Sequence, residues 1–321
     1  MSARAVAISS RQCASEGMSV DKSAQTSAAE QAVRSCYSTW AETYFRDYYT
    51  GAAYPPVHVE LVRRLLRQAG TRTLLDAGCG PASMLRGLAD MGLELYGFDL
   101  TPAMVEVAQR VATELGIPKG RIWQGSVADR QAFRPQADDV RFDAALCVGV
   151  FPHIPEAIED DVVANLHEAV RPGGLVAVEA RNQLFGLFTL NRYSYEFFAT
   201  ELIRPETLRT ADSTVAVDAI LAELKQRFRM DVPPVRGGKS GEPGYDEVLS
   251  RTHNPFELQA RFARAGFTDI KVHFYHYHCL PPMFEAAAPA LFRRASLAME
   301  DAADWRGHFM ASAFFVTGTR P

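Results

Sequence analysis

Leu74-Leu75-Asp76-Ala77-Gly78-Cys79-Gly80-Pro81 is the stretch whose reading decides the fold. A short apolar run, Thr73 to Ala77, ends in a glycine turn, and a helical pattern from Met84 to Met91 follows, closed by Gly92. Glycines at a strand end admit positive φ and close backbone approach, and the helix behind them presents unpaired N–H groups. A dinucleotide fold uses three glycines there, G-x-G-x-x-G, to seat a pyrophosphate on the helix end. The third glycine is missing in this chain, where Ser83 stands. Asp76 sits just before the turn instead. A carboxylate there repels a pyrophosphate and suits a ligand bearing an ammonium group. A second strand, Leu95 to Phe98, ends at Asp99, whose two oxygens suit the two hydroxyls of a ribose.

The alternation continues outward from these two strands. Thr101 is placed to cap a helix with Pro102 at its first position. Arg121 to Trp123 is a brief third strand, and Asp129 follows it in a polar turn suited to an adenine edge. Phe142 to Val148 is apolar almost throughout, as a central parallel strand should be, and Val148 leaves room for a ligand at its end. Ala157 to Val170 is helical and Leu175 to Ala180 is a fifth strand. Strands alternating with helices at this spacing imply an α/β, doubly wound, mostly parallel Rossmann-like sheet. In such sheets ligands bind at the carboxyl ends of the strands.

The flanks are less regular. Residues 1–30 are rich in Ser, Ala, Gln and Thr and read as a disordered leader. Tyr37, Trp40, Ala41, Tyr44 and Tyr48 then fall on one face of a helix predicted over Ala32 to Tyr49. After Asn182 the rhythm stops, and residues 183–253 read as an inserted helical lid between strands five and six. Helices are expected at Tyr195 to Ile203 and Val215 to Phe228, and a Gly-rich loop from Pro233 to Tyr245. Asn254 caps the last expected helix, and Lys271 to His278 and Phe309 to Thr317 close the sheet. Residues 31–321 are thus expected to form a single domain.

Bulk composition narrows the function classes. Net charge is −4 and no basic stripe rises above it, which argues against nucleic acid. No apolar run reaches membrane-spanning length. The five cysteines are scattered, without C-x-x-C, which suits a reducing, cytoplasmic setting and offers no metal site.

The blocks LLDAGCGPA at 74–82, LYGFDLTPAMVEVA at 95–108, GSVAD at 125–129, FDAALCVGVFPHIPE at 142–156 and HEAVRPGGLVAVEARN at 167–182 resemble, in this order, the class I S-adenosylmethionine-dependent methyltransferases. The resemblance implies seven strands, one of them antiparallel, and methyl transfer from the sulfonium of S-adenosylmethionine. It places Asp76, Gly78 and Gly80 at the methionine end, Asp99 on the ribose, and Leu100 and Met104 beside the adenine. Ser126, Val127 and Asp129 take the adenine's far side, and Tyr44 covers the amino-acid part.

Methyl transfer chiefly requires alignment and exclusion of water; a hydroxyl acceptor also needs a base. His153, just past the fourth strand, is the first candidate, and His276 and His278 are the others. On an ideal strand those two share a face with Phe274, opposite His273, Tyr275 and Tyr277. No third ligand supports a metal. Arg181, Asn182 and Tyr193, after the fifth strand, are candidate substrate contacts, with Arg181 suited to an anionic group. The reading is therefore methyl transfer to a small-molecule acceptor, a hydroxyl oxygen ahead of nitrogen or carbon. The rivals are a catalytically silent partner subunit and an NAD-dependent oxidoreductase, and a homodimer stays open.

Overall fold

A computed structural model describes residues 22–50, 55–135, 141–210, 213–230 and 248–321 of the chain. Its centre is a seven-stranded sheet in the order β3-β2-β1-β4-β5-β7-β6. The strands are β1 (Thr73–Ala77), β2 (Glu94–Asp99), β3 (Ile122–Gln124), β4 (Phe142–Cys147), β5 (Val170–Arg181), β6 (Thr268–Tyr277) and β7 (Ala311–Thr319). The pairs β1–β2, β1–β4, β2–β3 and β4–β5 are parallel, and β7 runs antiparallel to both neighbours. This is the doubly wound, mostly parallel sheet read from the sequence.

Helices cover both faces. On one side α2 (Val57–Gln68), α3 (Ser83–Leu88) and α4 (Pro102–Glu114) bury Leu61, Leu65, Leu85, Val105 and Ala108 against the sheet. On the other, α5 (Glu159–Ala169) and α9 (Pro255–Arg264) bury Val162, Leu166, Leu258 and Phe262. Burial of a Leu or Val side chain is worth roughly 1.5–3 kcal/mol, so the three- and four-residue spacing in these helices fixes which face turns inward. Asn254 caps α9 by accepting from Phe256 N–H at 3.0 Å, as expected. Thr101 does not cap α4 with its side chain. Asp99 accepts from Thr101 N–H at 2.8 Å in its place.

Expectations at the flanks change. Helix α1 (Lys22–Ser38) starts inside the stretch read as a leader. Thr26, Ala29, Glu30, Val33 and Tyr37 line one face of it and wall a cleft, and that tertiary contact overrides a composition poor in large apolar residues. The predicted aromatic helix over 32–49 is broken after Ser38 by a turn. There Ser38 Oγ donates to Arg34 O at 2.6 Å and Thr39 Oγ1 to Cys36 O at 2.7 Å, side-chain bonds that compete with helix propagation. A π-turn, Arg46–Thr50, then carries Tyr48 and Tyr49.

The region between β5 and β6 holds α6 (Arg192–Phe197), α7 (Pro205–Leu208) and α8 (Thr214–Lys225). The expected Gly-rich loop at 233–245 lies outside the described residues. A helix that the sequence reading passed over, α10 (Pro289–Ala298), precedes β7. Within β6, His276 takes φ of 60°. That single left-handed residue resets the alternation: Tyr275 packs on Phe315 on one side of the sheet, whereas Tyr277 joins Phe274 in the core on the other.

Candidate active site

The carboxyl ends of β1, β2 and β4 open into a cleft of about 990 Å³. Asp76 forms its floor, only 1% exposed, and its Oδ1 has no hydrogen-bond partner among the described residues. Burial, and then the neighbouring Asp99 charge, push its carboxyl up to about 7. Gly78 follows at φ 84°, where an added Cβ would lie 2.3 Å from Val150 Cγ2. Gly78 and Cys79 both donate backbone N–H to Phe98 O, at 2.8 and 2.9 Å, folding the turn onto the end of β2. Gly97 allows this, since a Cβ there would sit 3.0 Å from Cys79 Cβ. Gly78→Ala is expected to cost about 1–2 kcal/mol of stability from the left-handed backbone alone, read as a lowered midpoint in thermal unfolding.

Asp99 organises the next segment. Its Oδ2 accepts from Gly80 N–H at 2.9 Å and its Oδ1 from Thr101 N–H at 2.8 Å. Each oxygen keeps a lone pair for a ligand hydroxyl. Leu100 and Met104 form an apolar wall beyond it, with Val127 and Ile158 among the groups opposite. Ser126 lines the same cleft and donates to Glu30 on α1, so the helix is tied across the opening. Tyr44 and Val148 also line the cleft. Asp129 does not: it is exposed and caps the turn after β3 by accepting from Gln131 N–H at 2.9 Å.

A second, outer chamber of about 1210 Å³ shares Tyr37, Tyr44, Tyr49, Val148, Gly149 and His153 with the cleft. His153 stands at this boundary. Its Nδ1 lies 2.7 Å from Leu249 O, and a carbonyl only accepts, so Nδ1 carries the ring hydrogen. Its Nε2 then accepts from Tyr37 Oη at 2.9 Å. Burial lowers His153 to about 4, leaving the ring neutral at ordinary pH. The segment carrying Leu249 is itself fixed: Arg251 N–H donates to Pro152 O at 2.8 Å, and its guanidinium pairs with buried Glu159.

The remaining candidates separate. Arg181 lines the outer chamber and donates to Ser250 Oγ. Asn182 is buried in the scaffold: its amide donates to the carbonyls of Gly307, His308 and Ala311 at 3.2, 2.8 and 2.8 Å, and its Oδ1 accepts from Leu184 N–H. Tyr193 is 42% exposed at the start of α6 and lines neither cavity. His276 bonds Ser312 Oγ at 2.9 Å, and His278 is packed beside Phe185 and Phe292. Neither ring lines the cleft or the chamber. The two rings stay side by side, with centroids 5.1 Å apart, but they turn toward Ser312, Phe185 and Phe292. Among the described residues no His, Cys, Asp or Glu cluster is placed to hold a metal, and no helix is long and apolar enough to cross a membrane.

Three residues of the site went unread in the sequence: Glu30, His58 and Tyr275. Only the folded chain brings them there, since each meets its partner across a long sequence separation. Tyr37 was visible as a helix-face residue but not as a site group, whereas Glu179 falls in the acceptor-side group after the fifth strand.

An acidic glycine turn after β1, a carboxylate at the end of β2 and an antiparallel β7 are the arrangement that the sequence resemblance to class I S-adenosylmethionine-dependent methyltransferases implies. In keeping with this, residues 74–174 match the family model of a methyltransferase domain. Over 147 residues it is 29% identical to a ubiquinone biosynthesis O-methyltransferase of Xanthomonas euvesicatoria pv. vesicatoria, covering 46% of this chain and 58% of the relative. A protein of the same description from Alkalilimnicola ehrlichii is 30% identical over 131 residues, covering 40% and 49%. The matches thus span about half the length of these curated relatives. Among solved structures, the magnesium protoporphyrin IX methyltransferase of Synechocystis PCC 6803 with bound SAH superposes with a TM-score of 0.48 at 13% identity, covering 91% of this chain and 100% of that one.

The cleft fits the family's cofactor on its own chemistry. Asp76 Oδ1 and Ser83 Oγ are both buried and unpartnered among the described residues, and both line the cleft. An unmet buried acceptor costs about 1–3 kcal/mol, so a ligand ammonium at Asp76 relieves a real penalty. Its effect on pH dependence has a fixed sign. Asp76 lies near 7, above its ordinary 3.8, so the free protein loses stability as pH rises from about 4 to 7. A ligand ammonium favours the carboxylate and competes with the proton. S-Adenosylhomocysteine affinity is therefore expected to rise from pH 6 to 8 and to release a proton near pH 6.5, measured by titration calorimetry in two buffers of different ionisation heat. A flat profile would remove Asp76 from the ammonium contact.

Proposed function

We propose that this chain transfers a methyl group from S-adenosylmethionine to a hydroxyl oxygen of a small molecule held in the outer chamber. The observation that carries the reading is the Tyr37–His153–Leu249 chain of hydrogen bonds at the boundary between cleft and chamber. When bound, S-adenosylmethionine supplies a methyl carbon on a good leaving group. The protein's share is to bind, align and take up a proton.

Asp76 would hold the ammonium, Asp99 the ribose hydroxyls, and Leu100, Met104, Ser126 and Val127 would enclose the adenine. Tyr44 would cover the amino-acid end. Helix α1, tied to Ser126 through Glu30, closes the cleft to water. His153 offers a neutral Nε2, fixed in that tautomer by Leu249 O. Because Tyr37 Oη occupies Nε2, a proton leaving the acceptor passes to Tyr37 Oη as Tyr37's own proton passes to Nε2. Burial holds Tyr37 well above the usual phenol range, so it stays protonated and ready to donate.

The relatives named above as O-methyltransferases support oxygen as the accepting atom. A cytoplasmic setting is in keeping with this reading, and a role of the 183–253 region as substrate lid is supported by Leu249 O holding the His153 ring and Ser250 Oγ accepting from Arg181. The test is a panel of phenolic and aliphatic alcohols incubated with S-adenosylmethionine and analysed by mass spectrometry. A product heavier by one methyl group, on oxygen, is expected. Methylation confined to amines would overturn the oxygen assignment, and cofactor binding without any product would favour the silent-partner reading.

A further inference from the structure

The outer chamber is walled by aromatic faces with one carboxylate among them. Tyr44 and Tyr48 pack with ring centroids 4.6 Å apart, and His58 lies 5.3 Å from Tyr49 and 5.7 Å from Tyr275. Glu179, at the end of β5, is 9% exposed and lines this chamber but not the cofactor cleft. Its Oε1 accepts from Tyr275 Oη at 2.8 Å and its Oε2 from Gly149 N–H at 2.5 Å. Both are neutral donors, and each oxygen keeps a lone pair. Burial lowers His58 to about 4, so it adds no positive charge.

We propose that this chamber binds an acceptor carrying a protonated amine, with the ammonium on Glu179 between the tyrosine faces and the hydroxyl toward Tyr37 and His153. The inference rests on the proposed hydroxyl methylation and names its substrate class. Two features point the same way. A cation over Tyr faces gains about 0.5–1 kcal/mol at exposed sites and more when desolvated. A charge-assisted bond to a buried carboxylate is about twice as strong as a neutral one. The molecule then uses two carboxylates for two cations, Asp76 in the cleft and Glu179 in the chamber. Arg181 is the opposing group, and it would favour an acceptor carboxylate instead.

The test uses the full chain saturated with S-adenosylhomocysteine and three probes that share a 4-hydroxyphenyl ring: tyramine, 4-ethylphenol and 3-(4-hydroxyphenyl)propionate. Tyramine is expected to bind about tenfold or more tightly than 4-ethylphenol, equivalent to about 1.4 kcal/mol, with the propionate weakest. Glu179→Gln should abolish the preference for tyramine, with S-adenosylhomocysteine binding as the check that the variant is folded. Should that variant fail to fold, the ranking of the probes on the unaltered chain still decides. Equal binding of the three, tightest binding of the propionate, or no binding at millimolar concentration would overturn the proposal. Failure of S-adenosylhomocysteine itself to bind would instead overturn the cofactor reading beneath it.

Discussion

His153→Asn is expected to lower turnover about 10²-fold while S-adenosylhomocysteine still binds. The size follows from the residue's surroundings. General bases contribute roughly 10²–10⁴-fold, most when their pKa lies near the working pH. His153 sits near 4, so its share falls at the low end. Its low value also means that the ring is already unprotonated at any pH above about 5, so no acid limb from His153 should appear in the neutral range. Tyr37→Phe should cost a similar factor, because in the proposed relay the phenol, bonded to Nε2 at 2.9 Å, would stand between the acceptor and His153. The double variant should lose little beyond either single one, since the two groups act as one relay. Unchanged turnover in His153→Asn would remove the residue as base. Additive losses in the double variant would show two independent roles.

Asp99→Ala is expected to weaken S-adenosylhomocysteine binding at least tenfold, about 1.4 kcal/mol. Two effects combine. On the proposed ribose contact, the hydroxyls would lose a charged acceptor. The backbone N–H groups of Gly80 and Thr101, held at 2.9 and 2.8 Å, lose the partner that shapes the turn. Asp99→Asn separates these effects, because its single amide oxygen retains one backbone bond and removes the charge. An unchanged dissociation constant in Asp99→Ala would sink the ribose assignment.

Much of the cofactor cleft was legible because its groups sit at strand ends. A strand followed by a glycine turn or an acidic residue is a local pattern, and the parallel sheet places all such ends on one edge. Asp76, Asp99 and Met104 reach the cleft for that reason. Asp129 has the same kind of position, but a side chain two residues from a free backbone N–H makes an Asx turn instead. Asn182 looked like an edge residue, yet three scaffold carbonyls claim its amide. His276 and His278 were read on an ideal strand; one left-handed residue breaks the alternation there, and the two rings, still 5.1 Å apart, line neither cavity.

The acceptor side was less legible because its pairings are remote in sequence. Tyr37 meets His153 across 116 residues, and Ser126 meets Glu30 across 96. Nothing in the spacing of either residue announces such a partner. The first part of helix α1, up to residue 30, read as a leader because its cleft-facing groups there, Thr26, Ala29 and Glu30, are small or polar.

The proposed methyl transfer requires the cleft to be a site for S-adenosylmethionine. Calorimetric titration of the unaltered chain with S-adenosylhomocysteine, and in parallel with NADH, tests that most directly. Saturable binding of S-adenosylhomocysteine at one site per chain, weakened at least tenfold by Asp99→Ala, with no NADH binding, is the predicted result. Binding of NADH in place of S-adenosylhomocysteine, or binding that Asp99→Ala leaves untouched, would contradict it.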